Sequence, residues 1–131
     1  MAILQMLALV AILAAAGWLA YVAVLCLLRP EGARAGLAAM GSTVAIQFGE
    51  HFLRGLAGLA MILRADASKA PDAFALIGWF IVATSAIILL LPRRWHHAYA
   101  LYWAERIPGW AFRIAAFPTL AGAVLLAYVA L

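Results

Sequence analysis

The chain has 131 residues, a length typical of one domain, and 69% of them are hydrophobic whereas 11% are charged. An ordinary soluble domain carries about 25% charged residues, which argues against a soluble enzyme or binding domain. The net charge of +4 does not indicate nucleic-acid binding, because the basic residues lie in short segments between apolar runs. We therefore expect a single all-α transmembrane domain.

Four segments have the roughly 20 largely apolar residues that a membrane-spanning helix needs. In chain order they cover residues 3–28, 42–63, 74–91 and 110–131. No Lys or Arg precedes the first run, so we expect a retained helix rather than a cleaved signal peptide. We expect Pro118 to bend the last helix. The pattern predicts a four-helix bundle of four spans.

The second span carries a stripe of polar residues on one helical face, namely Gln47, Glu50, His51 and Arg54. Each charge near the middle of a membrane costs about 2.5–3.5 kcal/mol on insertion scales. We therefore expect the stripe to face protein rather than lipid. In the alternative, the helix begins later and holds its charges at the membrane surface.

Small residues lie roughly opposite this stripe. Gly41, Ala45 and Gly49 are spaced by four, which lets another helix approach closely. We expect these residues to pack helices together and the second span to lie centrally.

The polar stripe has three readings. Glu50 and Arg54 stand at i and i+4 in the favourable order for an intrahelical ion pair, which would be a structural role. Alternatively, Glu50 and His51 form a proton-handling or ligand-binding site with Gln47 and Arg54 beside them. In the third reading the stripe contacts another subunit.

Cofactor chemistry has little support in the sequence. A haem with two histidine ligands would need His96 or His97 to fold back towards His51, near the cytoplasmic surface. Adjacent residues such as His96-His97 or Glu50-His51 point about 100° apart on a helix, so neither pair faces one ion comfortably. No metal-ligand spacing or nucleophile motif is present, and the single cysteine lies in an apolar run. We predict no catalytic residue, no metal site and no cofactor, with haem at His51 as an alternative.

Residues 93–107 predict an interfacial amphipathic helix between the third and fourth spans. Basic residues lie at both of its ends, and its aromatic residues occupy an arc of about 100°. The aromatic residues, predicted to anchor the helix at the membrane surface, are Trp95, Tyr99, Tyr102 and Trp103.

Basic residues predict the orientation, because they favour the cytoplasmic side. They are Arg29 and Arg34 in the first loop, Arg64 and Lys69 in the second, and Arg93, Arg94, Arg106 and Arg113 in or beside the third. We expect the first and third loops in the cytoplasm and both termini outside.

Two stretches echo each other. Gly17-Trp18 followed by Leu27-Leu28-Arg29-Pro30 is similar to Gly78-Trp79 followed by Leu90-Leu91-Pro92-Arg93. The echo predicts two helical hairpins packed side by side, and chance similarity of apolar sequences is the alternative.

Two segments resemble small uncharacterised bacterial inner-membrane protein families, of two and of four helices. The first is Pro92-Arg93-Arg94-Trp95 with Arg113 and the run from Ala121 to Tyr128; the second extends from Arg29-Pro30-Glu31 through Glu50 and Arg54-Gly55 to Gly58-Leu59. The resemblance implies an inner-membrane, helical protein and no particular activity.

Our leading functional hypothesis is an accessory or scaffold subunit, or a homo-oligomer, that works through helix contacts in the bilayer. The expected partners are lipid and a membrane protein or second copy, and not nucleic acid. The alternatives are a small transporter or proton-coupled carrier that uses Glu50 and His51, and a haem redox protein that uses His51.

Overall fold

A computed structural model describes all of residues 1–131, and it contains six α-helices and no strand. The helices are α1 (Ala2–Leu28), α2 (Pro30–Ala39), α3 (Val44–Arg64), α4 (Pro71–Leu90), α5 (Arg93–Arg106) and α6 (Gly109–Ala130). A 3₁₀ turn at Ala65–Ala67 directly follows α3. The all-α prediction is confirmed.

Three helices, α1, α4 and α6, are long and apolar enough to cross a membrane. The prediction of four such segments is therefore wrong for residues 42–63. These residues do form a helix, α3, and its 21 residues would extend about 31 Å. Its polar stripe and Arg64 make it less apolar than its neighbours, so α3 does not qualify by composition.

The long helices form two pairs, in which α1 packs along α6 and α3 packs along α4, and contacts between α1 and α3 join the pairs. At one end, Gln5 Nε2 donates to the Leu63 carbonyl at 2.8 Å, and Arg64 Nε donates to the Ala130 carbonyl at 3.1 Å. At the opposite end, α2 packs on α5. We call these the terminal end and the α2/α5 end.

The first loop of the sequence prediction is a helix, α2. Pro30 stands in its first turn, where a missing backbone N–H costs nothing, and Glu31 places a negative charge near the helix N-terminus. Arg34 pairs with Glu31 at 3.1 Å and donates a hydrogen bond to the Ala104 carbonyl of α5. These contacts hold α2 against α5.

The closest contact between α3 and α4 lies at two glycines. A Cβ atom added to Gly58 would lie 2.9 Å from the Gly78 carbonyl oxygen, and one added to Gly78 would lie 2.7 Å from the Gly58 carbonyl oxygen. Only glycine permits this approach of the two backbones.

The predicted packing line of Gly41, Ala45 and Gly49 does not join helices within the chain, and packing of this line against a second chain stays a prediction. Ala45 and Gly49 are exposed, and a Cβ atom at Gly49 would meet nothing within 4 Å. Gly41 is buried, but in the turn before α3 and against α5. Spacing by four marks one face of a helix, and it does not say what covers that face.

The helix order repeats as long, short, long in α1–α2–α3 and again in α4–α5–α6. The predicted pair of separate helical hairpins, packed side by side, does not form, however. The main partner of α1 is α6, and the main partner of α3 is α4, so each half packs its long helices on those of the other.

The predicted helix at residues 93–107 is confirmed as α5. Its four anchor aromatics are exposed, and Trp103 makes edge-to-face contacts with Tyr99 and Tyr102, at centroid distances of 6.3 and 5.3 Å. Arg106 lies 3.6 Å from the centroid of the Tyr102 ring. The location of this face at a membrane surface stays a prediction.

Candidate functional site

The polar stripe of α3 lies inside the protein. Gln47 and His51, one helical turn apart, are only 2% and 3% exposed, whereas Glu50 and Arg54 are half-buried. Thr43 fixes where α3 begins, because its side-chain oxygen accepts a hydrogen bond from the Ile46 N–H at 3.1 Å and caps the helix. The expectation that the stripe faces protein is therefore confirmed.

His96 of α5 folds back onto His51. The two Nε2 atoms are 3.3 Å apart, and the rings meet edge to face with their centroids separated by 5.0 Å. This contact joins residues 45 positions apart in the chain. The sequence identified such a return as a condition for haem ligation, but nothing in its spacing selected His96 over His97.

Glu50 completes a group of three. One ligand atom from each of Glu50, His51 and His96 lies within 4.8 Å of the others, a geometry that could hold a metal ion. The sequence argument against a metal site considered each helix separately, where neighbouring side chains diverge. His96 comes from a second helix and lies within reach of both α3 residues.

Two side chains of α5 fasten its beginning to the turn between α2 and α3. Arg93 donates hydrogen bonds to the carbonyls of Gly41 and Ser42, at 2.7 and 2.9 Å. The His97 Nδ1–H donates to the Met40 carbonyl at 2.8 Å. Because His96 lies between Arg93 and His97, these bonds determine where its ring lies relative to α3.

Gly41 is required in that turn for two reasons. Its φ of +70° is in the left-handed region, which residues with a Cβ atom rarely adopt. A Cβ atom there would also lie 3.0 Å from the His97 backbone nitrogen and 3.2 Å from a ring carbon of His96. The sequence assigned Gly41 to helix packing, whereas its role is to admit α5.

Arg54 does not pair with Glu50, so the first of the three readings of the stripe, an intrahelical ion pair, is not what the structure contains. The single salt bridge of the structure joins Glu31 and Arg34. Arg54 instead donates to the Oγ atom of Ser85 in α4, at 3.0 Å, and Ser85 is 2% exposed. A single serine in an apolar span does not indicate a functional residue, so the sequence did not predict that Ser85 belongs to the site.

Two buried atoms of the stripe have no hydrogen-bond partner in the protein, namely Gln47 Oε1 and His51 Nδ1. The other end of the Gln47 amide is satisfied, since Nε2 donates to the Ile88 carbonyl at 3.2 Å. Buried polar atoms without partners are uncommon in folded proteins and call for an explanation. Here they lie on the same face as Glu50.

Haem fits this group poorly. Two axial histidines must lie on opposite faces of the macrocycle, whereas the His51 and His96 rings touch each other edge to face. Their 3.3 Å nitrogen separation leaves no room for a porphyrin between them. The group suits a single small ion or solute better.

Comparison of the chain with protein-family models, with curated proteins and with solved structures found no match.

Proposed function

We propose that this protein is a small membrane carrier whose α3 stripe, closed by His96, binds a small polar or ionic solute. The observation that carries the proposal is the partly buried group of Glu50, His51 and His96, in which Glu50 has no ion-pair partner. A stripe with only a structural role would be expected to neutralise its own charges, as a Glu50–Arg54 pair would have done. Intramembrane ionisable residues commonly mark solute pathways.

The depth of the residues supports entry from the α2/α5 end. His96 lies on α5 at that end, and Glu50 and His96 are half-buried, whereas Gln47 and His51 are almost fully buried. A solute would meet Glu50 and His96 first.

Because four long helices leave little space for a complete pathway, we propose that the carrier works as a dimer.

The test is solute flux in vesicles that contain the purified protein, followed with a pH-sensitive dye for protons and ion-sensitive dyes for metal cations. Glu50→Gln and His51→Ala should each lower the flux by at least about tenfold, by analogy with the loss of one metal- or solute-binding group. Glu105→Gln, which removes an exposed carboxylate of α5, is the control. Flux that is unchanged in both site variants would exclude the site.

A second candidate function is the contact-based one, an accessory subunit or homo-oligomer. It is supported by the outward face of α3, where Ala45 and Gly49 are exposed on the same side as the large exposed side chains of Phe48 and Phe52. Small residues of this kind admit a second helix. Crosslinking and native mass spectrometry in membranes would test it.

Gly49→Leu should disrupt such an assembly, and Gly122→Leu on α6 is a matched control, because a Cβ atom at either glycine meets nothing within 4 Å. A lone monomer without a co-purifying protein would count against this second candidate.

We also propose a location in the bacterial inner membrane, with the α2/α5 end in the cytoplasm. The support is the larger number of basic residues at that end and the presence of three helices able to span a membrane.

A further inference from the structure

We propose that Glu50, His51 and His96 bind a divalent transition-metal ion of the zinc class. The inference rests on the proposed function in that it names the kind of ion taken up by the same site. Imidazole nitrogen and carboxylate oxygen are ligands that zinc accepts readily, in sets of three protein ligands with one open position. Hard cations such as magnesium and calcium prefer oxygen ligands alone, and the two histidines disfavour them.

The separation of the two histidines matches a shared ion. Imidazole nitrogens bind zinc at about 2.0–2.1 Å, so two of them at the tetrahedral angle lie about 3.3 Å apart. The Nε2 atoms of His51 and His96 are 3.3 Å apart. The separation of the two nitrogens is therefore already that of two ligands of one ion.

Glu50 has to move further but has the freedom to do so. Its carboxylate lies within 4.8 Å of the imidazole nitrogens, and its side chain is half-buried rather than fixed in the core. A shift of its flexible end by about 1–2 Å would bring an oxygen to the same tetrahedral spacing. Its negative charge offsets part of the charge of a divalent ion in a poorly solvated place.

Neighbouring residues favour a site that releases its ion. A metal-bound histidine usually donates its second ring N–H to a protein acceptor, and the Nδ1 atom of His51 has no such partner. Arg54, one turn further along α3, keeps a positive charge nearby and is held by Ser85. Both features weaken metal binding relative to a permanent structural site, as a carrier requires.

The competing explanation is a direct hydrogen bond between the two Nε2 atoms, which the same 3.3 Å separation permits. In that arrangement a proton occupies the space that a metal ion would need. A pair that serves only as a structural hydrogen bond predicts no stoichiometric metal binding, and metal binding therefore separates the two explanations.

The experiment uses the full-length protein, purified in detergent, stripped with a chelator and titrated with Zn²⁺ by calorimetry and with Co²⁺ as an optical probe. One ion per chain and a tetrahedral Co²⁺ spectrum are expected. His51→Ala, His96→Ala and Glu50→Gln should each weaken binding by at least about tenfold. Glu105→Gln, at an exposed carboxylate of α5, should leave it unchanged.

His96→Cys guards against a variant that merely misfolds, because cysteine is itself a zinc ligand. It should still bind one ion and add a thiolate-to-Co²⁺ charge-transfer band. The proposal is overturned if the unaltered protein binds no stoichiometric Zn²⁺, or if it binds Zn²⁺ equally well in the three ligand variants.

Failure of the proposed metal site and failure of the proposed carrier function give different experimental results. Stoichiometric Zn²⁺ binding without any flux in vesicles would uphold the metal site and exclude the carrier. Proton flux that depends on Glu50, in a protein that binds no Zn²⁺, would uphold the carrier and exclude the metal site.

Discussion

Arg54 donates a hydrogen bond from its guanidinium group to the Oγ atom of Ser85, at 3.0 Å, across the contact between α3 and α4. Ser85 is 2% exposed, so the bond brings a cation into an apolar interior. Arg54 forms no ion pair with Glu50, whose carboxylate lies beside His51 and His96. One hydroxyl in an apolar helix thus supplies the hydrogen-bond acceptor for the cation of the stripe.

Ser85→Ala should destabilise the protein by about 2 kcal/mol, because hydrogen bonds to charged groups contribute about 1.5–3 kcal/mol and Arg54 would lose a buried acceptor. Thermal unfolding in detergent is the measurement. Thr84→Ala, at the preceding residue, is the control, because the Thr84 hydroxyl donates hydrogen bonds only to carbonyls of its own helix, at Phe80 and Ile81. Equal losses in the two variants would contradict a specific role for Ser85.

The crossing of α3 and α4 should tolerate no side chain at its two glycines. Gly58→Ala and Gly78→Ala each place a Cβ atom within 3 Å of the facing carbonyl oxygen, and we expect a cost of at least about 1–3 kcal/mol. Gly17→Ala and Gly122→Ala add the same methyl group in open space and should be neutral or stabilising by up to about 1 kcal/mol. Comparison of the four unfolding temperatures tests this.

Gly41→Ala should weaken both stability and metal binding. The left-handed φ costs a residue with a Cβ atom about 1–2 kcal/mol, and the added atom pushes on the backbone of His97 and the ring of His96. Gly36→Ala in α2, where a Cβ atom meets nothing, is the control. A Gly41→Ala protein with unchanged Zn²⁺ affinity would show that the turn does not position His96.

Helices were predictable from this sequence where one physical signal dominated. Continuous apolar runs indicated α1, α4 and α6, and the cluster of aromatic and basic residues indicated α5. The polar face of α3 was also predictable, because an apolar helix with one charged stripe must turn that stripe towards protein. The short helix α2 was not, since ten moderately polar residues between spans read equally well as a loop.

The candidate site was only half predictable. Gln47, Glu50, His51 and Arg54 share one helix, so their spacing places them together, whereas His96 and Ser85 come from other helices. Which residues of α4 and α5 reach α3 depends on helix packing and on the turn at Gly41. Such long-range contacts leave no periodic trace in a single sequence.

Arg93 and Arg94 should differ sharply although they are neighbours with the same charge. Arg93 bonds to two carbonyls of the turn before α3, and Arg94 is exposed without a side-chain hydrogen bond. Arg93→Ala should raise amide hydrogen exchange in residues 40–44 and weaken Zn²⁺ binding, because the beginning of α5 is released. Arg94→Ala should change neither, and equal effects in the two variants would contradict this role.

The orientation is testable because the native cysteine can be removed. Cys26 is buried in α1, so in a Cys26→Ala background one new cysteine reports one position. Ala67 lies exposed at the terminal end and Glu105 lies exposed on α5 at the other end.

Basic residues favour the cytoplasmic side, which places Glu105 inside. A membrane-impermeant maleimide added to intact cells should therefore label Ala67→Cys and spare Glu105→Cys, and lysis should expose both. The opposite pattern would reverse the orientation. Labelling of both cysteines in intact cells would place both ends of the protein outside. That result would contradict a protein whose two ends lie on opposite sides of the membrane.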